Sequence, residues 1–297
     1  MIPAAGLATW TLALLTAAEP SGAPATAPSQ PSPPPDAVAW QAMAPGAERA
    51  SLTLDGTTEV LLFRFDLERF RAEVVVGKGT PPRPRTAADL RQGRGAVAAV
   101  NGGFFDEHVV PLGLRIASGD QRFPLRPKSD WGVLVLGNHR ARIIHTREYP
   151  RPTPASAATA PMAPANTPPS PAVSLPTLID SAIQVGPRLL VGGKPVQLRP
   201  QFARRTAVAI DREGRALTLV VAAAPVAATD LAAALAAQGF DAALLLDGGP
   251  STQLSLALGD AHVDIEGVYP VPDLLAIFAR PPPRPTVGPP PRAPGPR

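Results

Sequence analysis

Short runs of alternating apolar and polar residues, broken by glycines and polar turns, fill positions 38–149 and 175–280. Residues 60–65 and 72–76 are rich in β-branched and aromatic side chains and read as adjacent strands joined across 66–70. Thr86 followed by Asp89 is a capping-box pattern that opens a helix at 87–92. Residues 95–100 are continuously apolar and of strand length, which predicts a strand covered on both faces. The pattern predicts hairpins at 131–145 around Gly137-Asn138, at 188–198 around Gly192-Gly193, and at 206–221 around Arg212-Glu213-Gly214. A second helix follows, with Thr229 as its cap, Asp230 at its positive end, Leu231 and Leu235 on one face, and Gly239 as a left-handed stop. Strands at 242–246 and 274–278 complete an α+β reading: a strand-rich mixed sheet, about two helices, one domain over 38–280.

Composition changes that picture at the edges. Forty of 297 residues are proline, against a usual share of about 5%. Nine lie in 1–45, nine in 150–176 and nine in 281–297. The 19–37 linker, an internal loop at 150–174 and the 281–297 tail are therefore expected to be disordered or extended spacers, too poor in apolar surface to offset the entropy of ordering. Residues 1–18 form a short apolar run ending in small residues, as before a secretory cleavage site, though without a basic start. The run is shorter than a bilayer span, so the expectation is a secreted, periplasmic or envelope protein with no integral membrane segment.

Charge and residue usage exclude several classes. The chain has 28 basic and 24 acidic residues and no Lys/Arg run of the kind that tracks nucleic acid, so no nucleic-acid partner is expected. It has no cysteine, which removes disulfides, thiolate metal sites and a cysteine nucleophile. The sequence lacks a phosphate-binding P-loop, a serine-hydrolase elbow and a zinc-protease helix motif.

Two strand ends share one design: Asn101-Gly102-Gly103-Phe104-Phe105-Asp106 and Asp247-Gly248-Gly249-Pro250-Ser251-Thr252. A polar residue at the end of a rigid strand, followed by two glycines, can bring side chain and backbone N–H groups close to a ligand. The same pattern also fits a plain tight turn in which Asn or Asp bonds its own backbone. Arg205 offers a guanidinium that can hold a phosphate through paired hydrogen bonds, with Thr206 adding a third; alone, Arg204-Arg205 also suits an exposed strand start. Asp247 and Asp106 are the best carboxylate pair for proton transfer, while His108 is a lone loop histidine.

Together, Asn101-Gly102-Gly103-Phe104-Phe105, Pro111-Leu112-Gly113-Leu114, Gly186-Pro187-Arg188-Leu189-Leu190, Arg205-Thr206-Ala207-Val208 and Leu246-Asp247-Gly248-Gly249 resemble, in order, the phosphodiester glycosidase family over roughly 61–278. The resemblance implies an α+β catalytic domain that hydrolyses a sugar-1-phosphodiester of envelope or exported glycans to sugar and phosphomonoester. Within that reading Asp247, Asp106 and Asn101 carry catalysis. Arg205, Thr206, Gly102, Gly103, Phe104, Gly248, Gly249 and Ser251 hold the substrate, a small-molecule or glycan phosphodiester. Two departures stand out: Pro250 replaces a third glycine, and 269–273 lacks the arginine and asparagine usual before the last strand. No cofactor is expected. Two alternatives remain open: a non-catalytic envelope protein that binds anionic glycan, and a metal-assisted phosphodiesterase in which Asp106 and Asp247 hold a divalent cation. Sugar, aglycone and oligomeric state are not specified.

Overall fold

The computed structural model describes residues 38–150 and 179–281. The 1–18 segment, the 19–37 linker, and all but the first residue of the 150–174 loop and of the 281–297 tail lie outside the described residues.

Strands dominate, and they are dealt into three sheets rather than one mixed sheet, with every ladder among the described residues antiparallel. The eight-stranded sheet runs Gln41–Ala44, Ala47–Leu54, Thr58–Asp66, Ala216–Ala227, Phe202–Ile210, Ala242–Leu245, Arg188–Val191, Lys194–Pro195. A five-stranded sheet runs Ala261–Ile265, Leu254–Leu258, Ala98–Asn101, Asp273–Ala279, Phe70–Val76. The other runs Asp120–Phe123, Arg115–Ala117, Ser181–Val185, Gly132–Gly137, Arg140–His145.

One core joins the three inner faces: Phe65, Val208 and Leu219 from the first sheet, Val100, Leu256 and Leu275 from the second, Leu134 and Ile183 from the third. Two helices cover outer faces. Helix α1, Ala87–Arg94, sets Ala87 and Leu90 against Ala99, Leu274 and Ala276. Helix α2, Ala228–Ala237, sets Leu231 and Leu235 against Ala207, Val220 and Leu245. The strands at Ala98–Asn101 and Ala242–Leu245 are thus buried on both sides, which is why their sequences are apolar without alternation. No helix among the described residues is long and apolar enough to cross a membrane.

Thr86 caps α1 with the full reciprocal box to Asp89, and Gly239 takes the left-handed stop after α2 at φ 79°. Thr229 does not cap α2. The helix starts two residues earlier behind Ala227, whose side chain makes no cap bond, and the Thr229 hydroxyl turns to Asp230 instead. The first hairpin turns on Asn138-His139, both at positive φ, one residue later than expected. Strands Thr58–Asp66 and Phe70–Val76 are not partners. The first is already flanked by Ala47–Leu54 and Ala216–Ala227, and the second lies beside Asp273–Ala279 in another sheet. Phe65 and Phe70 meet edge to face at 5.3 Å across this corner, so the three-residue link changes sheet rather than closing a hairpin.

Candidate active site

The two glycine corners meet. Asn101 is fully buried at the end of its strand, where its amide supplies both donor and acceptor. Its Nδ2 donates to the Asp247 carbonyl at 2.7 Å, and its Oδ1 accepts from Thr206 Oγ1 at 2.7 Å and from the Gln253 N–H at 3.2 Å. The Asp247 N–H donates to the Gly102 carbonyl at 3.0 Å. Asn101 is therefore a clamp that fixes one corner against the other. An aspartate could not make the donor half of this set. Asn101→Ala leaves three buried polar groups unpaired and should destabilise the fold by about 2–3 kcal/mol, read from the urea midpoint.

Asp247 sits half-buried at the second corner, with Oδ1 accepting the Gly248 N–H at 2.9 Å and Oδ2 accepting Ser251 Oγ at 2.6 Å. Burial pushes its pKa up. The Ser251 and Gly248 hydrogen bonds oppose that, the nearby Asp273 charge adds to it, and Arg115 offsets part. Gly249 stands at φ 57°, a left-handed position open on its Cβ side. Pro250 follows it inside the short 3-10 turn Gly249–Ser251, where a missing N–H costs no helical bond. The departure at Pro250 is thus compatible with the turn geometry.

Beneath the first corner lies a buried ion pair that the sequence reading did not assign. Arg115 and Asp273 are both essentially unexposed, with Nε 3.0 Å from Oδ2. The guanidinium also donates to the carbonyls of Leu114, Gln184 and Phe104 at 3.0–3.2 Å. A Cβ on Gly102 would overlap the Asp273 carboxylate, and one on Gly103 would collide with the Arg115 guanidinium. The Gly102 N–H donates to the Asp273 carbonyl and the Gly103 N–H to its Oδ1, each at 2.9 Å. This corrects the expectation for these glycines: their small size admits the ion pair, and their N–H groups are committed to Asp273 rather than open to a phosphate. The available signal was one charge inside each apolar stretch, Leu114-Arg115-Ile116 and Asp273-Leu274-Leu275, which only a partner could offset on burial.

The remaining expected residues divide. Ser251 is buried and supports Asp247. Thr206 is buried and spends its hydroxyl on Asn101, so it does not join Arg205 in a phosphate clamp. Arg205 lies beside the second corner, its Cδ 4.0 Å from where a Gly248 Cβ would stand. It donates to the carbonyls of Val226 and Gln201. Neither Arg205 nor its neighbour Arg204 forms an ion pair with a carboxylate among the described residues. Burial lowers the pKa of Arg205. A half-buried cation without a counter-charge is an electrostatic invitation to an anion.

Phe104 packs edge to face on Trp131 at 5.1 Å and offers its carbonyl to Arg115. Asp106 differs from expectation. Its Oδ1 accepts the N–H groups of His108 and Val110, and no bond joins it to Asp247 among the described residues, so it organises its own loop. Among the described residues, no three His, Asp or Glu side chains gather as a metal-holding group.

The arrangement offers one environment-tuned carboxyl group, Asp247, on a rigid double corner flanked by the aliphatic stem of Arg205, whose guanidinium bonds two carbonyls and has no carboxylate partner among the described residues. A sequence profile described as phosphodiester glycosidase matches residues 94–278. No curated protein matches the chain. Among solved structures, the zebrafish N-acetylglucosamine-1-phosphodiester alpha-N-acetylglucosaminidase catalytic domain, auto-inhibited by its pro-peptide, aligns with TM-score 0.54 and 18% identity over 83% of this chain and 88% of that one. A Synechocystis protein aligns with TM-score 0.53 and 17% identity over 84% of this chain. The alignment spans 64% of the length of that Synechocystis protein. At these identities the structures share the fold, and the profile covers more than half of the sequence. The chain belongs to the phosphodiester glycosidase family.

Proposed function

We propose that this protein hydrolyses the glycosyl–phosphate bond of a sugar-1-phosphodiester in exported or envelope glycans. The observation that carries the reading is Asp247, a half-buried carboxyl group held by Ser251 and Gly248 at a corner flanked by the stem of Arg205, an arginine with no carboxylate partner among the described residues. Water attacks the anomeric carbon, the bond from that carbon to the phosphate oxygen breaks, and its electron pair leaves with the phosphate. The proton of the attacking water passes to Asp247, whose raised pKa improves it as an acceptor near neutral pH. Carboxylate charge beside the ring also stabilises the oxocarbenium-like transition state. A phosphate leaving group is a weak base and needs little protonation, so one carboxylate suffices and Arg205 neutralises the departing charge. Export rests on the 1–18 segment.

Defined sugar-1-phosphodiesters, assayed for sugar release, test this reading. Arg205→Ala should lower kcat/KM about a hundredfold, the usual cost of one positioned donor to transition-state charge. Asp106→Asn keeps the oxygen acceptor its loop needs and should retain nearly full turnover. Full activity in Arg205→Ala would remove that residue from the phosphate site. Tight binding of anionic glycan with no turnover of any diester would favour the non-catalytic alternative.

A further inference from the structure

Residues 266–272 form a loop pinned to the Asp247 corner at several points. The Val268 N–H donates to the Pro250 carbonyl at 2.8 Å. Gln253 Nε2 donates to the carbonyls of Ser251 and Tyr269, each at 3.3 Å, and Arg204 Nη2 donates to the Glu266 carbonyl at 2.8 Å. The first corner reaches the same loop, because Phe105 meets Tyr269 edge to face with ring centroids 6.1 Å apart. The loop is thus held in place, yet it presents Val268 at 72% exposure and Tyr269 at 40%. Phe202, 68% exposed, opens the strand that carries Arg204 and Arg205. The described residues expose four large hydrophobic side chains, and three of them sit on elements bonded to this corner. Apolar side chains exposed on elements tied to one corner mark a binding surface more often than scattered single residues do.

We infer that Val268 and Tyr269, with Phe202, form a subsite for an apolar aglycone esterified to the phosphate that Arg205 holds. The inference rests on the proposed hydrolytic reading and narrows its substrate class. An apolar strip next to two cations without counter-charges is complementary to an amphiphile: the phosphate head meets the arginines and the hydrocarbon meets Val268 and Tyr269. Edge-on contact with Phe105 fixes the Tyr269 ring, so the surface needs little ordering on binding.

Calorimetric binding of hexyl phosphate and of glycerol 1-phosphate tests this, since the two probes share a phosphate and differ in tail polarity. Wild-type protein should bind hexyl phosphate about tenfold more tightly, the gain from burying roughly two methylenes. Val268→Ser/Tyr269→Ser should erase that preference and leave glycerol 1-phosphate binding unchanged. Val268→Ser alone should erase part of it. Equal binding by the wild type, absence of binding to either probe, or a preference that survives the double substitution would overturn the subsite. So would loss of affinity for a free methyl glycoside in the double variant with hexyl phosphate unaffected, because the surface would then serve the sugar. Turnover is a separate readout: if no diester is cleaved, the hydrolytic reading fails while the hexyl phosphate preference still stands or falls on its own.

Discussion

Asp247→Asn should reduce kcat/KM for a sugar-1-phosphodiester by about a thousandfold, while the protein melts at the same temperature or higher at neutral pH. The loss follows from the role: the amide cannot accept the proton of water, and it brings no negative charge to the anomeric carbon. Stability behaves differently because burial raises the folded-state pKa of this carboxyl group above its unfolded value. Such a group favours the fold fully only below its unfolded pKa, and that contribution is lost as pH rises through the folded one. Above that window the wild type holds a partly buried charge that asparagine does not carry. Asn can still accept from Gly248 through its remaining oxygen, so the corner keeps its shape. Thermal melts at neutral pH and near pH 4 check the sign: the variant should gain relative to wild type on going from acid to neutral. An equal loss of stability and turnover would recast Asp247 as a structural residue.

Asp273→Ala should be the most destabilising single change at the site, costing about 3–5 kcal/mol, because it strands the buried Arg115 charge. It also removes the acceptor of the Gly103 N–H, so the first corner loses its anchor together with its charge balance. Urea unfolding gives the size. Arg115→Met/Asp273→Leu should recover much of the loss, since replacing both partners leaves no stranded charge. The milder Asp273→Asn has a second readout. The Asp273 charge raises the Asp247 pKa, so its removal should move the acid limb of the pH–rate profile to lower pH. A packing role alone would leave that limb in place.

The sequence exposed much of the local construction. The α1 capping box, the left-handed stop at Gly239 and the glycine turn at Gly192-Gly193 are short-range features whose chemistry fits within a few residues. The two glycine corners were visible because an apolar strand stopped abruptly at a polar residue, and the structure does place them together. The hairpin assumed for 60–76 shows where this reasoning stops. A short polar link between two strands looks the same whether the strands pair or enter different sheets, and here the edges of Thr58–Asp66 were already occupied.

What the chain determined by itself was its strand-rich content, its two helices and the candidate carboxylate at Asp247, all of which follow from periodicity and from residues close in sequence. Tertiary structure decided which polar groups are spent and which stay open. Asn101 looked catalytic, and Thr206, Ser251, Gly102 and Gly103 looked like ligand contacts, yet Thr206 bonds Asn101, Asn101 bonds Asp247 and Gln253, Ser251 bonds Asp247, and the two glycines bond Asp273, as far as 171 positions away in the Gly102–Asp273 bond. Arg205 keeps its charge unpaired because no carboxylate folds onto it among the described residues. A hydrogen bond is satisfied in space, and the sequence records only the donors and acceptors, not the pairs they form.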